Sequence, residues 1–337
     1  MKQPTDFPRV PLAMLPTPLE PLERLGRALD MRLWMKRDDY TGLGGGGNKV
    51  RKLEFLMPEA IRQRADVIIT TGGHQSNHAR IVAAAARRFG MDSLLVLRGA
   101  APNTWQGNLL LDRLLGADLD FLPYDEYPDL VAPRIEARAE ELRAAGRRPY
   151  VIPLGGASAK GALGYVLAVE ELAGQWARLD DRGPDYVVAA AGSAGTLAGL
   201  LVGLQRIWPE ARLLGISVAW PADRVRERTL ELAAETRALL GWAEPRAQEA
   251  LIVTDEHVGP RYAVPTDGGL AAIRQTAQTE GIMLDPVYTG KAMDGLITLA
   301  RNGRLGRSPR VVFVHTGGMP SLFAFADALL SAESAAR

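Results

Sequence analysis

Short, nearly continuous apolar runs alternate with helix-length amphipathic segments from about residue 33 to 325. The runs at 33–36, 67–70, 93–97, 150–152, 186–190, 213–217 and 311–315 predict strands. Their lack of polar alternation marks strands covered by helices on both faces. Segments at 50–62, 77–89, 130–145 and 194–206 read as helices between them. The fold class expected is α/β, with open twisted sheets of parallel type flanked by helices. No repeat or low-complexity linker marks a boundary, but the block from about 60 to 160 holds its own strand and helix alternation. Gly155-Gly156, with Gly161 and Gly164, is the expected return hinge. The small polar stretch 331–337 is expected to fray.

Length and composition narrow this picture. A chain of 337 residues is too long for one small core, so two lobes or one large α/β unit with an insertion are expected. With 47% hydrophobic and 23% charged residues the chain is neither disordered nor fibrous. The net charge of +1 comes from interleaved arginines and carboxylates, so no nucleic acid partner is expected. The absence of cysteine excludes disulfides, thiolate metal sites and a cysteine nucleophile. The first residues, Met1 to Pro8, lack a signal-peptide apolar region, and no stretch approaches the ~18 apolar residues of a membrane span. A cytoplasmic location without membrane contact is the expectation.

Only six of the forty basic residues are lysine: Lys2, Lys36, Lys49, Lys52, Lys160 and Lys291. Two of them follow a glycine run, in Gly44-Gly45-Gly46-Gly47-Asn48-Lys49-Val50-Arg51-Lys52. A lysine kept where arginine is the default cation is a candidate for imine formation with an aldehyde, which a permanently charged guanidinium cannot perform. A compositional bias toward arginine accounts for the same pattern. A nucleotide P-loop does not, because Asn48 separates Gly47 from Lys49 and Val50 stands where Ser or Thr should hold magnesium.

Three further segments carry candidate chemistry. Gly192-Ser193-Ala194-Gly195-Thr196 follows an apolar run and opens an apolar helix, a helix-terminus anion site. It lacks G-x-G-x-x-G and a following acid, so one phosphate fits better than a dinucleotide. Any strand-to-helix turn also favours glycine. Gln75-Ser76-Asn77-His78 stands at a strand end before an alanine-rich helix, where its donors suit a substrate carboxylate. His74 and His78 imitate a zinc pair, but Gln75 replaces the glutamate of H-E-x-x-H and no third ligand is evident, so no metal is expected. Tyr262 and Tyr288 lie on loops, where packing with a surface hydroxyl is the plainer alternative. His315-Thr316-Gly317-Gly318 ends another strand.

Taken in order, Lys36-Arg37-Asp38-Asp39, Gly46-Gly47-Asn48-Lys49-Val50-Arg51-Lys52-Leu53-Glu54, Gln75-Ser76-Asn77-His78, Gly192 to Thr196, Asp285 to Lys291 and His315 to Gly318 resemble one family. It is the fold-type II pyridoxal-phosphate enzymes, in the branch of 1-aminocyclopropane-1-carboxylate deaminase and D-cysteine desulfhydrase. Leu15-Pro16-Thr17-Pro18-Leu19 and Leu53-Glu54-Phe55-Leu56-Met57 are similar to the L-cysteate sulfo-lyases of that branch as well. The resemblance runs from about residue 12 to 325. It implies a tryptophan synthase β-like fold, a homodimer, and pyridoxal 5'-phosphate as cofactor. It also implies a large cofactor-binding domain of 1–60 plus 160–337 and a small domain of 61–159, with the active site in the cleft between them.

Site roles follow from the same resemblance. Lys49 would hold the cofactor aldehyde covalently and move the proton at Cα. Lys52 would pair with the phosphate, cradled by Gly192, Ser193, Ala194, Gly195 and Thr196. Asn77 would bond the ring hydroxyl, and Thr316 would face the pyridine nitrogen. Gln75, Ser76, Asn77, His78 and Thr289 would bind substrate, with Ser76 also shuttling a proton. Tyr288 and Tyr262 would orient the substrate or protonate the leaving group.

The deaminase pattern has a glutamate after the loop tyrosine and an apolar residue after the strand-end histidine position. Thr289 and Thr316 stand there instead. A hydroxyl holds the pyridine nitrogen protonated less firmly than a carboxylate, so cyclopropane opening is disfavoured while loss of a good β leaving group stays feasible. The expected reaction is β-elimination from D-cysteine or a related β-substituted alanine, giving pyruvate, ammonia and sulfide. The alternatives are L-cysteate sulfo-lysis, deamination of 1-aminocyclopropane-1-carboxylate to 2-oxobutanoate, and a non-catalytic amino-acid or nucleotide binding protein.

Overall fold

The computed structural model describes residues 1–180, 182–243 and 250–334. Ten strands run in chain order as β1 Leu19–Pro21, β2 Arg32–Lys36, β3 Val67–Gly73, β4 Asp92–Arg98, β5 Asp118–Leu122, β6 Pro149–Val151, β7 Tyr186–Ala191, β8 Arg212–Ser217, β9 Leu251–Thr254 and β10 Arg310–Val314. The helices are α1 Glu23–Ala28, α2 Lys49–Arg62, α3 Asn77–Arg88, α4 Gly107–Leu114, α5 Tyr127–Ala144, α6 Ala159–Trp176, α7 Gly195–Ile207, α8 Ala222–Leu240, α9 Asp267–Glu280, α10 Thr289–Arg301, α11 Met319–Leu322 and α12 Ala326–Ser334. Ser331 to Ser334, expected to fray, continue α12, while 335–337 lie outside the described residues.

The strands form two sheets, ordered β1-β2-β10-β7-β8-β9 and β5-β4-β3-β6. Every pairing is parallel except β1 with β2. Successive β7 side chains serve opposite faces, as the period of two requires. Val187, Ala189 and Ala191 join a core with α6, α7 and α8, whereas Tyr186, Val188 and Ala190 join one with α1, α9 and α10. In the smaller sheet Val67, Ile69, Leu94 and Val96 pack against α5, and Leu95 and Leu97 face α3 and α4. The strands without a sequence signal, β1, β5 and β9, are all sheet edges. They are short and half-exposed, so they lack the continuous apolar character of covered strands.

Helix α2 links the two halves. Its Val50, Leu53 and Met57 pack with Ile68, Ile81 and Val82 of the smaller sheet's layer. Its other side meets α6, where a Cβ at Gly164 would run into the Arg51 carbonyl. A Cβ at Gly161 would likewise run into the Gly156 carbonyl, so both glycines, which lie within α6, permit close packing there. Arg51 also anchors a buried ionic cluster: its guanidinium donates to Asp38 at 2.9 Å and to Glu171 at 2.9 Å. Lys36 reaches Glu171 at 2.5 Å, and the Tyr165 hydroxyl donates to Asp38 at 2.6 Å. The arginine holds Asp38 and Glu171 ionised against the cost of burial. Helix α2 is thus fixed from beneath at the turn that carries both glycine-flanked lysines.

Candidate active site

A cavity of about 680 Å³ opens where the C-terminal ends of β3, β7 and β10 converge, the usual ligand position in open parallel sheets. A second depression of about 650 Å³ lies at the opposite strand ends, among Arg32, Arg212 and Arg310. It is an open surface hollow distant from the glycine turns.

Lys49 enters the cavity from the first residue of α2, and its ammonium contacts the Asn48 side-chain oxygen at 3.1 Å. Burial lowers its pKa to about 8. One helical turn on, Lys52 is buried too, donates to the Gly155 carbonyl at 3.1 Å, and is driven well below its ordinary pKa by burial and then by Lys49. Neither amine has a carboxylate partner among the described residues. Two uncompensated buried amines call for an anion or for conversion to a neutral form.

The turn after β7 supplies the anion cup. Ala194 sits at φ 64° as the N-cap of α7, a left-handed conformation that costs a non-glycine residue about 1 kcal/mol or more. It turns the first α7 amides toward the cavity. The Lys52 Nζ lies 3.0 Å from where a Cβ at Gly195 would stand, so glycine there lets the ammonium reach the helix N-terminus. The Thr196 hydroxyl accepts from the Asn48 amide at 3.0 Å, which leaves its own proton to donate. Gly192, Ser193, Ala194 and Thr196 line the cavity, while Gly195 lies just behind them.

A second anion position forms at the N-terminus of α3. Ser76 caps that helix by accepting from the Ala79 amide at 3.1 Å, again with its hydroxyl proton free. Asn77 accepts from Asn108 at 2.8 Å through its side-chain oxygen, which turns its NH2 group the other way. His78 lines the wall and bonds Thr70 at 2.9 Å; burial and then the two lysines push its pKa well down, so the ring is neutral. Opposite, the Tyr262 and Tyr288 hydroxyls share a 2.5 Å hydrogen bond. Burial raises both pKa values, that of Tyr262 to about 12 and that of Tyr288 well above its ordinary value, so both keep their protons at neutral pH. Lys291 donates to the Val258 carbonyl at 2.6 Å and thereby anchors the loop that carries Tyr262. Thr316 completes the wall.

Two expected substrate contacts fall elsewhere. Gln75 does not line the cavity: its oxygen accepts from the Asn108 amide at 2.8 Å and its NH2 donates to Gln106 at 3.1 Å. Thr289 is fully buried, spent on Asp285 as donor at 2.8 Å and as acceptor at 2.8 Å. Gln75 is thus tied to the start of α4, distant in the chain, and Thr289 closes a local turn, so both side chains are spent on the protein itself. Three aromatic and three arginine residues without a sequence assignment also line the cavity: Tyr124, Tyr127 and Trp220, with Arg98, Arg224 and Arg261. Asn108 supports the site from behind, and nothing in its sequence context marks it.

A buried amine, a one-phosphate cup and a carboxylate-sized helix terminus define an enzyme that joins a phosphorylated aldehyde to an amino acid. The chain belongs to the pyridoxal-phosphate-dependent enzyme family, whose model matches residues 10–317. It is 41% identical over 326 residues to the D-cysteine desulfhydrase of Salmonella choleraesuis (strain SC-B67), covering 95% of this chain and 97% of the relative. The D-cysteine desulfhydrase of Yersinia pestis (strain Pestoides F) matches with the same identity and coverage. Among solved structures, an ACC deaminase homologue is 42% identical with a TM-score of 0.87, covering 97% of each chain. The processed form of threonine deaminase isoform 2 from Solanum lycopersicum shares the fold at a TM-score of 0.66 and 16% identity, over 96% of this chain and 84% of that one. Pyridoxal phosphate is the cofactor, and the two buried amines, which have no carboxylate partner among the described residues, fit its aldehyde and phosphate. No described helix is long and apolar enough to cross a membrane.

Proposed function

We propose that this enzyme is a carbon–sulfur lyase that eliminates sulfide from D-cysteine, or a close β-substituted alanine, and releases pyruvate and ammonia. The observation that carries the reading, beside the relatives at 41% identity, is that no aspartate or glutamate is among the described residues lining the cavity. With Thr316 there and no carboxylate, nothing holds a pyridine nitrogen firmly protonated, which favours expulsion of a good leaving group over cyclopropane opening. Thr289, buried on Asp285, leaves Thr316 as the residue that bears on this choice.

Bound pyridoxal phosphate supplies the electron sink that acidifies the substrate α-proton. Lys49 is the residue for its attachment and then the base at Cα; the lowered pKa keeps a sizeable neutral fraction near pH 7.5. Lys52 and the Gly192 to Thr196 turn hold the phosphate. The Asn77 NH2, aimed by Asn108, suits the ring hydroxyl. The free Ser76 hydroxyl and the α3 N-terminus hold the substrate carboxylate, beside the neutral His78 ring. Tyr288 and Tyr262, protonated and paired, orient the substrate or give the leaving group its proton.

In this reading residues 61–159, which contain the whole four-stranded sheet, form the smaller domain, and 1–60 with 160–337 form the cofactor-binding one. The cytoplasm is its location. A homodimer is supported by apolar side chains exposed on neighbouring helices, Leu110 and Leu114 on α4 and Met319 on α11, with Phe323 beside them.

The test is oxo-acid and sulfide release from D- and L-cysteine, L-cysteate and 1-aminocyclopropane-1-carboxylate by the holoenzyme. Pyruvate with sulfide, fastest from D-cysteine, is expected. Faster 2-oxobutanoate release from the cyclopropane would overturn the reading.

A further inference from the structure

The two anions of a bound cofactor and amino acid, phosphate and carboxylate, are matched by Lys52 with the α7 terminus and by the α3 terminus. Three more cations line the same cavity, Arg98, Arg224 and Arg261. None of them makes an ion pair or a side-chain hydrogen bond among the described residues, and the cavity wall there holds no carboxylate. Aromatic faces hold each one in place. The guanidinium carbons of Arg98 and Arg261 lie 3.6 Å and 4.5 Å from the Tyr124 ring centroid, and that of Arg224 lies 3.8 Å from Trp220. Stacking occupies the flat face of a guanidinium and leaves its N–H edge for an oxyanion. The Arg98 Nε is buried without a hydrogen-bond partner.

Position in the cavity adds to this. Arg98 pairs in register with Gly73, and a Cβ on Gly73 would stand 3.1 Å from the Tyr262 ring. Arg98 therefore lies near Tyr262, one of the pair assigned above to the leaving group. Resting on the lyase reading above, we propose that Arg98 and Arg261, clamped on Tyr124, with Arg224 on Trp220 lining the same cavity, form an oxyanion subsite for the β-substituent of the substrate. The further class of substrate it would take is an alanine whose β-carbon bears a sulfate ester or a phosphate ester, whose tetrahedral oxyanion the sulfonate of the cysteate alternative shares. For a sulfate ester, the Cα–H bond breaks with its proton passing to Lys49, and the Cβ–O bond breaks with its electron pair leaving on sulfate. Water then releases pyruvate and ammonia.

Two readouts test the subsite. The first is binding of 3-sulfopropanoate and of butanoate to the holoenzyme by calorimetry; the second is kcat/KM for the O-sulfate and O-acetyl esters of D-serine. The sulfonate is expected to bind at least tenfold tighter than butanoate, with the preference shrinking as salt rises. Arg98→Gln and Arg261→Gln should each cut that preference roughly tenfold and lower the sulfate-to-acetate ratio mainly through KM, while Arg98→Lys recovers part of it. Arg224→Gln, which removes the arginine stacked on Trp220 and not on Tyr124, gives an independent reading should either of the first two fold poorly. Equal binding of the two acids, or equal loss for charged and neutral ligands in the variants, would overturn the subsite. Pyruvate release from D-cysteine separates the outcomes: its absence alongside a retained sulfonate preference sinks the desulfhydrase reading and leaves the subsite standing.

Discussion

Burial of Lys49 makes a quantitative prediction about cofactor capture. Its pKa falls from 10.5 to about 8, a change worth about 3 kcal/mol between the charged and neutral forms. At pH 7.5 the neutral amine rises from ~0.1% to roughly a quarter of the population, about a 200-fold gain in the form that attacks an aldehyde. Mixing apo-protein with pyridoxal phosphate and following the absorbance of bound cofactor from pH 6.5 to 10 should give a rate that climbs about tenfold per unit below pH 8 and levels above it. Burial alone lowers this pKa, so Lys52→Met should weaken retention of the phosphate yet leave the plateau where it is. The same shift acts on stability. The unfolded amine keeps its proton up to its ordinary pKa, so the apo-protein should gain stability as pH rises from about 8 to 10.5. A capture rate that kept climbing tenfold per unit up to pH 10 would refute the argument, because it would mean an amine in contact with water.

Three substitutions probe the supports of the site. Asn108→Ala strands the Asn77 and Gln75 oxygens it now bonds, a loss of about 1–3 kcal/mol, and should raise the cofactor Kd roughly tenfold and shift the bound-cofactor absorbance. An unchanged spectrum would show that Asn108 does not aim Asn77. Gly164→Ala forces α6 away from the Arg51 carbonyl and should cost about 1–3 kcal/mol in thermal or denaturant unfolding; an unchanged Tm would contradict the close helix contact. Tyr288→Phe should lower kcat by roughly 10²-fold or more with cofactor attachment intact, and most for substrates with basic leaving groups. A change confined to KM would make the tyrosine an orienting group only.

Much of the scaffold was legible because covered parallel strands have a strong signature. The runs that became β2, β4, β7, β8 and β10 are apolar on both faces, so they stood out to within a residue or two. Edge strands β1, β5 and β9 did not, since half of each faces water. The site was legible where chemistry and turn geometry coincide: Lys49 at the start of α2, Ser76 as a helix cap, Ala194 and Gly195 at the head of α7. It was illegible where neighbours are distant in the chain. Gln75 looked like a ligand donor because Asn108, which uses it, lies 33 residues away. Thr289 looked like a substrate contact because its bond to Asp285 points inward. Arg98, Arg224 and Arg261 were three among thirty-four arginines until the fold brought them to one cavity.

The central claim, that Lys49 is the residue that carries the cofactor, is tested most directly by borohydride reduction of the holo-protein followed by peptide mass mapping. The account predicts one pyridoxyl group, on the peptide containing Lys49, and none in Lys49→Ala. Labelling of Lys52, or of Lys291, whose pKa is lowered equally but which does not line the cavity, would contradict it.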